Sequence, residues 1–82
     1  MAATKQDIRG WLKEGQRKGA THVIVVCDDF DYEDYPVYVM PGEDVYKREE
    51  EFDGKNMQSI MEVYDLGLDI EEQLNEKRAF HY

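Results

Sequence analysis

The feature that most constrains this sequence is a short apolar run at residues 23–27, which reads Val-Ile-Val-Val-Cys. β-Branched side chains favour strands because they pack well on a pleated surface. An uninterrupted apolar run, in place of an alternating one, indicates a strand that is buried on both faces. The run therefore predicts one buried strand in a chain of 82 residues, which is enough for a single small domain, residues 1–82.

A second strand is predicted at residues 35–40, with Pro36 near its start. Proline lacks a backbone N–H donor, so its presence indicates an edge strand or the first residue of a strand. The two runs are close in sequence, and an antiparallel hairpin is the simplest connection between them. The segment between the runs then forms the tip of the hairpin.

A helix is predicted to begin at Thr4, which starts a capping box with Asp7, and to end at Gly19 in a left-handed cap. Gly10 and Gly15 lie inside this helix, where each costs about 1 kcal/mol relative to alanine. The pattern of residues 43–52 suits a short helix that begins with acidic residues.

Residues 57–64 predict a further helix, with Asn56 as its cap, and a break near residues 65–67 precedes a last helical segment. The alternative is one central buried helix that continues through Gly67. The side chains that share one face of the helix over 57–64 are Met57, Ile60, Met61 and Tyr64. The predicted fold is therefore α+β: an N-terminal helix, a short antiparallel β-hairpin, then two or three C-terminal helices packed on one face. So small a sheet has unpaired edges, which favours a homo-oligomer that extends the sheet across its interface.

The charge of the chain is strongly negative, since 19 acidic residues against 10 basic ones give a formal net charge of −9. This charge repels nucleic-acid phosphates and anionic membranes, and it favours a basic protein partner. We find no apolar stretch long enough for a signal peptide or a membrane span. The single cysteine, Cys27, lies in the apolar run and fits a reducing compartment, so the expected location is cytoplasmic.

The spacing of the candidate residues does not match the motifs of several known kinds of binding site. An EF-hand loop counted from Asp29 would need glycine at its sixth position and glutamate at its twelfth, which are Asp34 and Met40 here. His22 and His81 are far apart and lack the paired ligand spacing of zinc sites. The glycines form neither a phosphate-binding loop nor a dinucleotide-binding fingerprint. We therefore expect no cofactor, no metal and no enzymatic activity.

The predicted hairpin tip alternates acids with aromatic residues, in the segment DDFDYEDY at residues 28–35. Tyrosine provides rigid contact area in interfaces, and carboxylates steer a basic partner toward its site. The alternative is an ordinary hairpin end in which the aromatic rings point inward and the acids outward. The side chains expected to contact a protein partner are Asp29, Asp31, Tyr32, Glu33, Asp34 and Tyr35.

A second candidate site is basic. Arg9, Lys13 and Arg17 recur at i, i+4 and i+8 and form one stripe on the predicted helix. Arg9, Arg17 or Arg78 could hold the phosphate of a small nucleotide between the subunits of an oligomer, with an aromatic ring such as that of Trp11 or Tyr82 stacked on the base. The residues proposed for this anion or nucleotide site are Arg9, Trp11, Arg17 and Arg78.

Two long segments carry a resemblance to known proteins: GATHVIVVCDDFDYEDYPVYV at residues 19–39 and MQSIMEVYDLGLDIEEQLNEKRAFHY at residues 57–82. They resemble an uncharacterised family of short proteins encoded by phages and by bacterial genomes. The resemblance brings no catalytic motif and implies context only. That context is a small accessory protein of the kind that phages use to inhibit a host defence or nucleic-acid-handling protein by binding.

Overall fold

The computed structural model describes residues 3–53 and 57–82. It is an α+β fold with three helices and a three-stranded antiparallel sheet in this part of the chain. The elements in chain order are α1 (Lys5–Lys18), β1 (His22–Asp28), β2 (Glu33–Val39), α2 (Val45–Phe52), β3 (Gln58–Asp65) and α3 (Ile70–Leu74).

The sheet is built around β1, because the strand order is β2-β1-β3. Residues 23–26 of β1 are fully buried, which confirms the prediction of a strand covered on both faces. The predicted hairpin is also confirmed, since β1 pairs antiparallel with β2 and Val26 lies opposite Tyr35. Pro36 lies on β2, which is an edge strand of this sheet, as its missing N–H donor predicts.

The helices cover both faces of the sheet, so the prediction of helices on one face is wrong. Successive side chains of β1 point to opposite faces, and each face has its own apolar cluster. The cluster on the side of α1 and α3 contains Ile8, Leu12, Val23, Val25, Tyr64, Leu74 and Ala79. The cluster on the side of α2 contains Ile24, Val26, Val37, Val39, Val45 and Val63.

The predicted helix over residues 57–64 is also wrong, because residues 58–65 form strand β3 and pair with β1. The proposed cap, Asn56, lies outside the described residues. Only two helices, α2 and α3, follow the hairpin in the described ranges, and α3 is a helix of five residues. The predicted break near residues 65–67 does occur, but it separates a strand from a helix.

Helix α1 begins and ends as predicted. The Thr4 hydroxyl accepts from the Asp7 amide, and the Asp7 carboxylate accepts from the Thr4 amide, both at 3.1 Å. Gly19 adopts a left-handed conformation with φ of 80° and ends the helix. Helix α2 differs slightly from its prediction, because Asp44 is the N-cap and the first turn carries no acid.

The last residues of the chain pack against β3. The Val63 amide donates to the Ala79 carbonyl at 2.8 Å, and the His81 amide donates to the Val63 carbonyl at 2.9 Å. These bonds form a one-residue parallel bridge between Val63 and Phe80. Ala79 is completely buried in the cluster beneath α1 and α3, so the C-terminal segment is part of the folded domain.

Candidate functional site

The hairpin tip, residues 28–35, contains the turn of residues 29–32 between β1 and β2. Its first hydrogen bonds are local, because the Phe30 amide donates to the Asp28 carboxylate at 2.9 Å and the Tyr32 amide donates to the Asp28 carbonyl at 2.6 Å. Tyr32 has φ of 57°, in the left-handed region that glycine or asparagine usually occupies. The turn therefore keeps a tyrosine where a small residue would be less strained.

Two aromatic rings project from this tip into solvent. The exposed fraction of Phe30 is 73%, and that of Tyr32 is 69%. The side chains of Asp31 and Glu33 are exposed beside them and make no hydrogen bond or ion pair with any residue that the structure describes. The alternative in which all the aromatic rings turn inward is therefore wrong for these two.

Asp29 and Asp34 instead hold the tip in place. Both Asp29 carboxylate oxygens accept from the Ser59 hydroxyl at 2.8 Å, and the Asp29 amide donates to the Met57 carbonyl at 2.7 Å. The Asp34 carboxylate accepts from the Ala3 amide at 3.1 Å. These two acids add negative charge to the tip, but part of their hydrogen-bonding capacity is used within the chain.

Tyr35 also contributes to the fold. Its ring meets Phe52 edge to face, with 6.5 Å between the ring centroids, and it packs against the apolar cluster beneath α2. Its hydroxyl accepts a hydrogen bond from the Gln58 side chain, and burial raises the pKa of this phenol. Phe30, which was not among the expected contact residues, is far more exposed than Tyr35. The predicted hairpin could have identified it, because a residue of the turn lies beyond the strands and has no core face to fill.

We expect Ser59→Ala to loosen the tip while the sheet stays folded. The substitution removes the hydroxyl that donates to Asp29, which costs about 0.5–1.5 kcal/mol for a typical hydrogen bond. Amide hydrogen exchange at residues 29–32 should therefore become faster, and exchange at the buried residues 23–26 should become faster by no more than the global loss of stability requires. Unchanged exchange at the tip would show that this hydroxyl does not hold the turn.

The basic residues make contacts with different parts of the chain. Arg9 on α1 forms a bidentate pair with Glu71 at 2.9 and 2.8 Å, and Arg17 pairs with Glu14 on the same helix. Arg78 donates to the Met61 carbonyl at 3.2 Å. Ion pairs raise the pKa of both the Arg9 and Arg17 guanidinium groups.

Trp11, the proposed stacking residue of the basic site, is partly buried and packs against the cluster beneath α1 and α3. The nucleotide site remains a prediction, and so does the oligomer that would complete it. Any phosphate bound by Arg9 or Arg17 would compete with a carboxylate that already occupies the guanidinium.

Cys27 on β1 is a free cysteine and is partly buried. Burial raises the pKa of the Cys27 thiol, and a hydrogen bond with Asp34 raises it further, which opposes thiolate formation. Residues 3–53 and 57–82 contain neither a pocket nor a group of three His, Cys, Asp or Glu side chains placed to hold a metal ion. None of the described helices has the length and apolar character of a bilayer span.

Comparisons of this chain with protein-family models, with curated proteins and with solved structures found no match.

Proposed function

We propose that this protein is a non-catalytic acidic binding protein whose hairpin tip engages a basic protein partner. The observation that carries the proposal is the exposure of Phe30 and Tyr32 next to the unpaired carboxylates of Asp31 and Glu33. In the context that the resemblance implies, the partner is a host defence or nucleic-acid-handling protein. The site of action is then the cytoplasm of the bacterial or phage-infected cell.

The exposed rings provide the contact area. Large aromatic side chains on a surface are enriched in interfaces because they bury much apolar area and lose little conformational entropy. Tyr32 keeps its ring in a left-handed backbone conformation, which costs roughly 1–2 kcal/mol relative to a relaxed residue. A strained residue with an exposed ring favours a role outside the stability of the free domain.

The carboxylates provide steering. A net charge of −9 attracts a basic surface over a distance of about one Debye length, roughly 8–10 Å at physiological salt. The exposed acids at the tip then orient the encounter, which raises the association rate more than the final affinity.

The turn is held in place before any partner arrives. The Asp29 carboxylate ties it to Ser59 of β3, the Asp29 amide donates to Met57 just before that strand, and Asp34 accepts from the Ala3 amide. Such preorganisation reduces the ordering cost of binding, because less conformational freedom is lost when the complex forms.

The test compares three baits of the full chain: the wild type, a tip variant and a control variant. The tip variant is Asp31→Asn with Glu33→Gln, which removes two unpaired charges and keeps the side-chain shapes. The control variant is Glu71→Gln with Glu72→Gln, which makes the same charge change at exposed positions of α3, on the opposite side of the sheet from α2. A partner captured from a lysate of the producing cell counts only if the wild type and the control retain it and the tip variant does not.

The captured protein is then purified and its binding kinetics are measured. We expect the tip variant to associate roughly threefold to tenfold more slowly than the control at low salt, and added salt should reduce this difference. Phe30→Ser should mainly accelerate dissociation, because it removes contact area without removing charge. Equal association rates for the tip and control variants would refute the proposal.

A further inference from the structure

A second exposed aromatic surface lies on the α2 side of the sheet, and we call its residues Tyr46, Glu49, Phe80 and Tyr82 the α2–C-terminal surface. The rings of Tyr46 and Tyr82 are stacked, with 4.7 Å between centroids and an interplanar angle of 7°. Side chains of an extended segment alternate, so Phe80 lies on the same side as Tyr82. The exposed fractions are 58% for Tyr46, 45% for Phe80 and 38% for Tyr82.

This surface is fixed by contacts within the chain. The bridge between Val63 and Phe80 holds the backbone of the segment, and the Tyr82 hydroxyl donates to the Glu49 carboxylate. A domain of 82 residues has few large aromatic residues with which to build its core. Three rings that are ordered yet exposed on one face therefore indicate a contact surface.

The electrostatic environment of the surface favours a cation. Glu49 lies three residues after Tyr46 on α2, and its carboxylate accepts from the Tyr82 hydroxyl, so a negative charge stands beside the stacked rings. Burial together with repulsion from Asp53 and Glu50 raises the pKa of the Glu49 carboxyl. An incoming cation would relieve repulsion that the free protein does not neutralise.

Other aromatic rings of this protein already bind cations from within the chain. The Arg78 guanidinium lies 5.4 Å from the centroid of the Phe80 ring, and the Lys18 ammonium lies 4.4 Å from that of Tyr38. The stacked pair of Tyr46 and Tyr82 has no such cation among the described residues. A planar guanidinium suits this pair best, because it stacks on a ring face and also forms forked hydrogen bonds with a carboxylate.

We propose that the α2–C-terminal surface receives an arginine side chain of the basic partner, stacked on the Tyr46–Tyr82 pair beside Glu49. The inference rests on the proposed function, since it names the chemistry of a second contact made by the same partner. A second copy of this chain is a poorer occupant, because it would bring a further charge of −9 to an acidic surface.

The experiment uses two defined probes, a capped (Gly-Arg)4 peptide and a capped (Gly-Lys)4 peptide, each titrated into the full chain at low salt. We expect (Gly-Arg)4 to shift the amide NMR signals of residues 46–49 and 80–82 and to bind more tightly than (Gly-Lys)4 by about threefold or more. The double variant Tyr46→Ser with Tyr82→Ser should weaken (Gly-Arg)4 binding about fivefold, with a smaller effect on (Gly-Lys)4. The tip variant serves as the matched control and should keep the preference for arginine.

Three outcomes would overturn the inference. Signal shifts spread evenly over all acidic segments would indicate unspecific attraction to a negative protein. Equal binding of the two peptides, unaffected by the double tyrosine variant, would show that the stacked rings bind no guanidinium. Self-association that the tyrosine variant abolishes would assign the surface to a second copy. Each of these results leaves the hairpin tip untouched, whereas a tip variant that keeps the protein partner refutes the proposed function alone.

Discussion

Gln73→Leu should lower the free energy of unfolding by about 3 kcal/mol, although the two side chains are similar in size. Gln73 is buried, with an exposed fraction of 2%, and it is the one polar residue in the core of the described chain. Stability of 0.05–0.15 kcal/mol per residue implies roughly 4–12 kcal/mol for a domain of this length. The expected loss is therefore a large share of the total.

The reason lies in the turn between β3 and α3. The Gln73 side chain accepts from the Asp65 amide at 2.8 Å, and it donates to the carbonyls of Asp65 at 2.9 Å and Asp69 at 3.1 Å. Leucine can replace none of these bonds. The two carbonyls would keep other donors, since the amides of Leu68 and Gln73 also reach them. The Asp65 amide would lose its acceptor, and an unsatisfied buried donor costs about 1–3 kcal/mol.

Urea denaturation followed by circular dichroism measures this loss, and an unchanged m-value would confirm that the same surface unfolds. The matched control is Gln16→Leu, the same substitution at an exposed position of α1, which should change stability by no more than about 0.5 kcal/mol. A Gln73→Leu protein as stable as the wild type would mean that water or another side chain satisfies the turn.

Local sequence patterns predict β1, β2 and both ends of α1, because each depends on signals close together in the chain. The same patterns predict a helix where β3 forms, and the cause is a β-bulge in this strand. Val25 pairs with Glu62 whereas Val26 pairs with Ile60, so Met61 is an extra residue at a β-bulge. Beyond the bulge, the side chains of β3 switch to the opposite faces of the sheet. Residues that share a face across the bulge are therefore three positions apart instead of two.

The side chains of β3 follow this shift. Ile60 and Val63 pack beneath α2, whereas Met61 and Tyr64 pack beneath α1 and α3. Pairs three residues apart on one face are the usual signature of an amphipathic helix. A bulged strand with both faces covered therefore resembles a helix in sequence, and only the pairing with β1 reveals the difference.

The candidate site was predictable in composition and location but not in the role of each acid. The exposed positions of Asp31, in the turn, and Glu33, at the start of β2, follow from the predicted hairpin. The contacts of Asp29 with Ser59 and of Arg9 with Glu71 join residues that are 30 and 62 positions apart. The first contact depends on the pairing of β1 with β3, and the second depends on how α1 and α3 lie over the sheet. No local pattern encodes either arrangement.

Gly15→Val should destabilise the domain by about 3 kcal/mol, through overpacking where α1 approaches the sheet. A Cβ atom at Gly15 would lie 2.9 Å from Leu66 Cδ1, 3.0 Å from Val23 Cγ2 and 3.3 Å from Tyr38 Cδ1. Leu66 is partly buried and can move, but Val23 is a fully buried β-branched residue in the central strand. Two further methyl groups on the same Cβ would push the helix away from β1.

Gly10 is the matched control for Gly15, because helix propensity alone predicts the same effect of substitution at both glycines. A Cβ at Gly10 meets no atom within 4 Å, so Gly10→Ala should stabilise the domain by about 0.5–1 kcal/mol. Gly15→Ala gains the same propensity but loses more to the clash with Val23, and we expect a net loss of about 1 kcal/mol. Chemical denaturation of the four proteins, including the wild type, measures all three changes. Equal stabilisation by both alanine substitutions would show that α1 does not approach the sheet closely at Gly15, and the close packing of α1 on β1 would then be wrong.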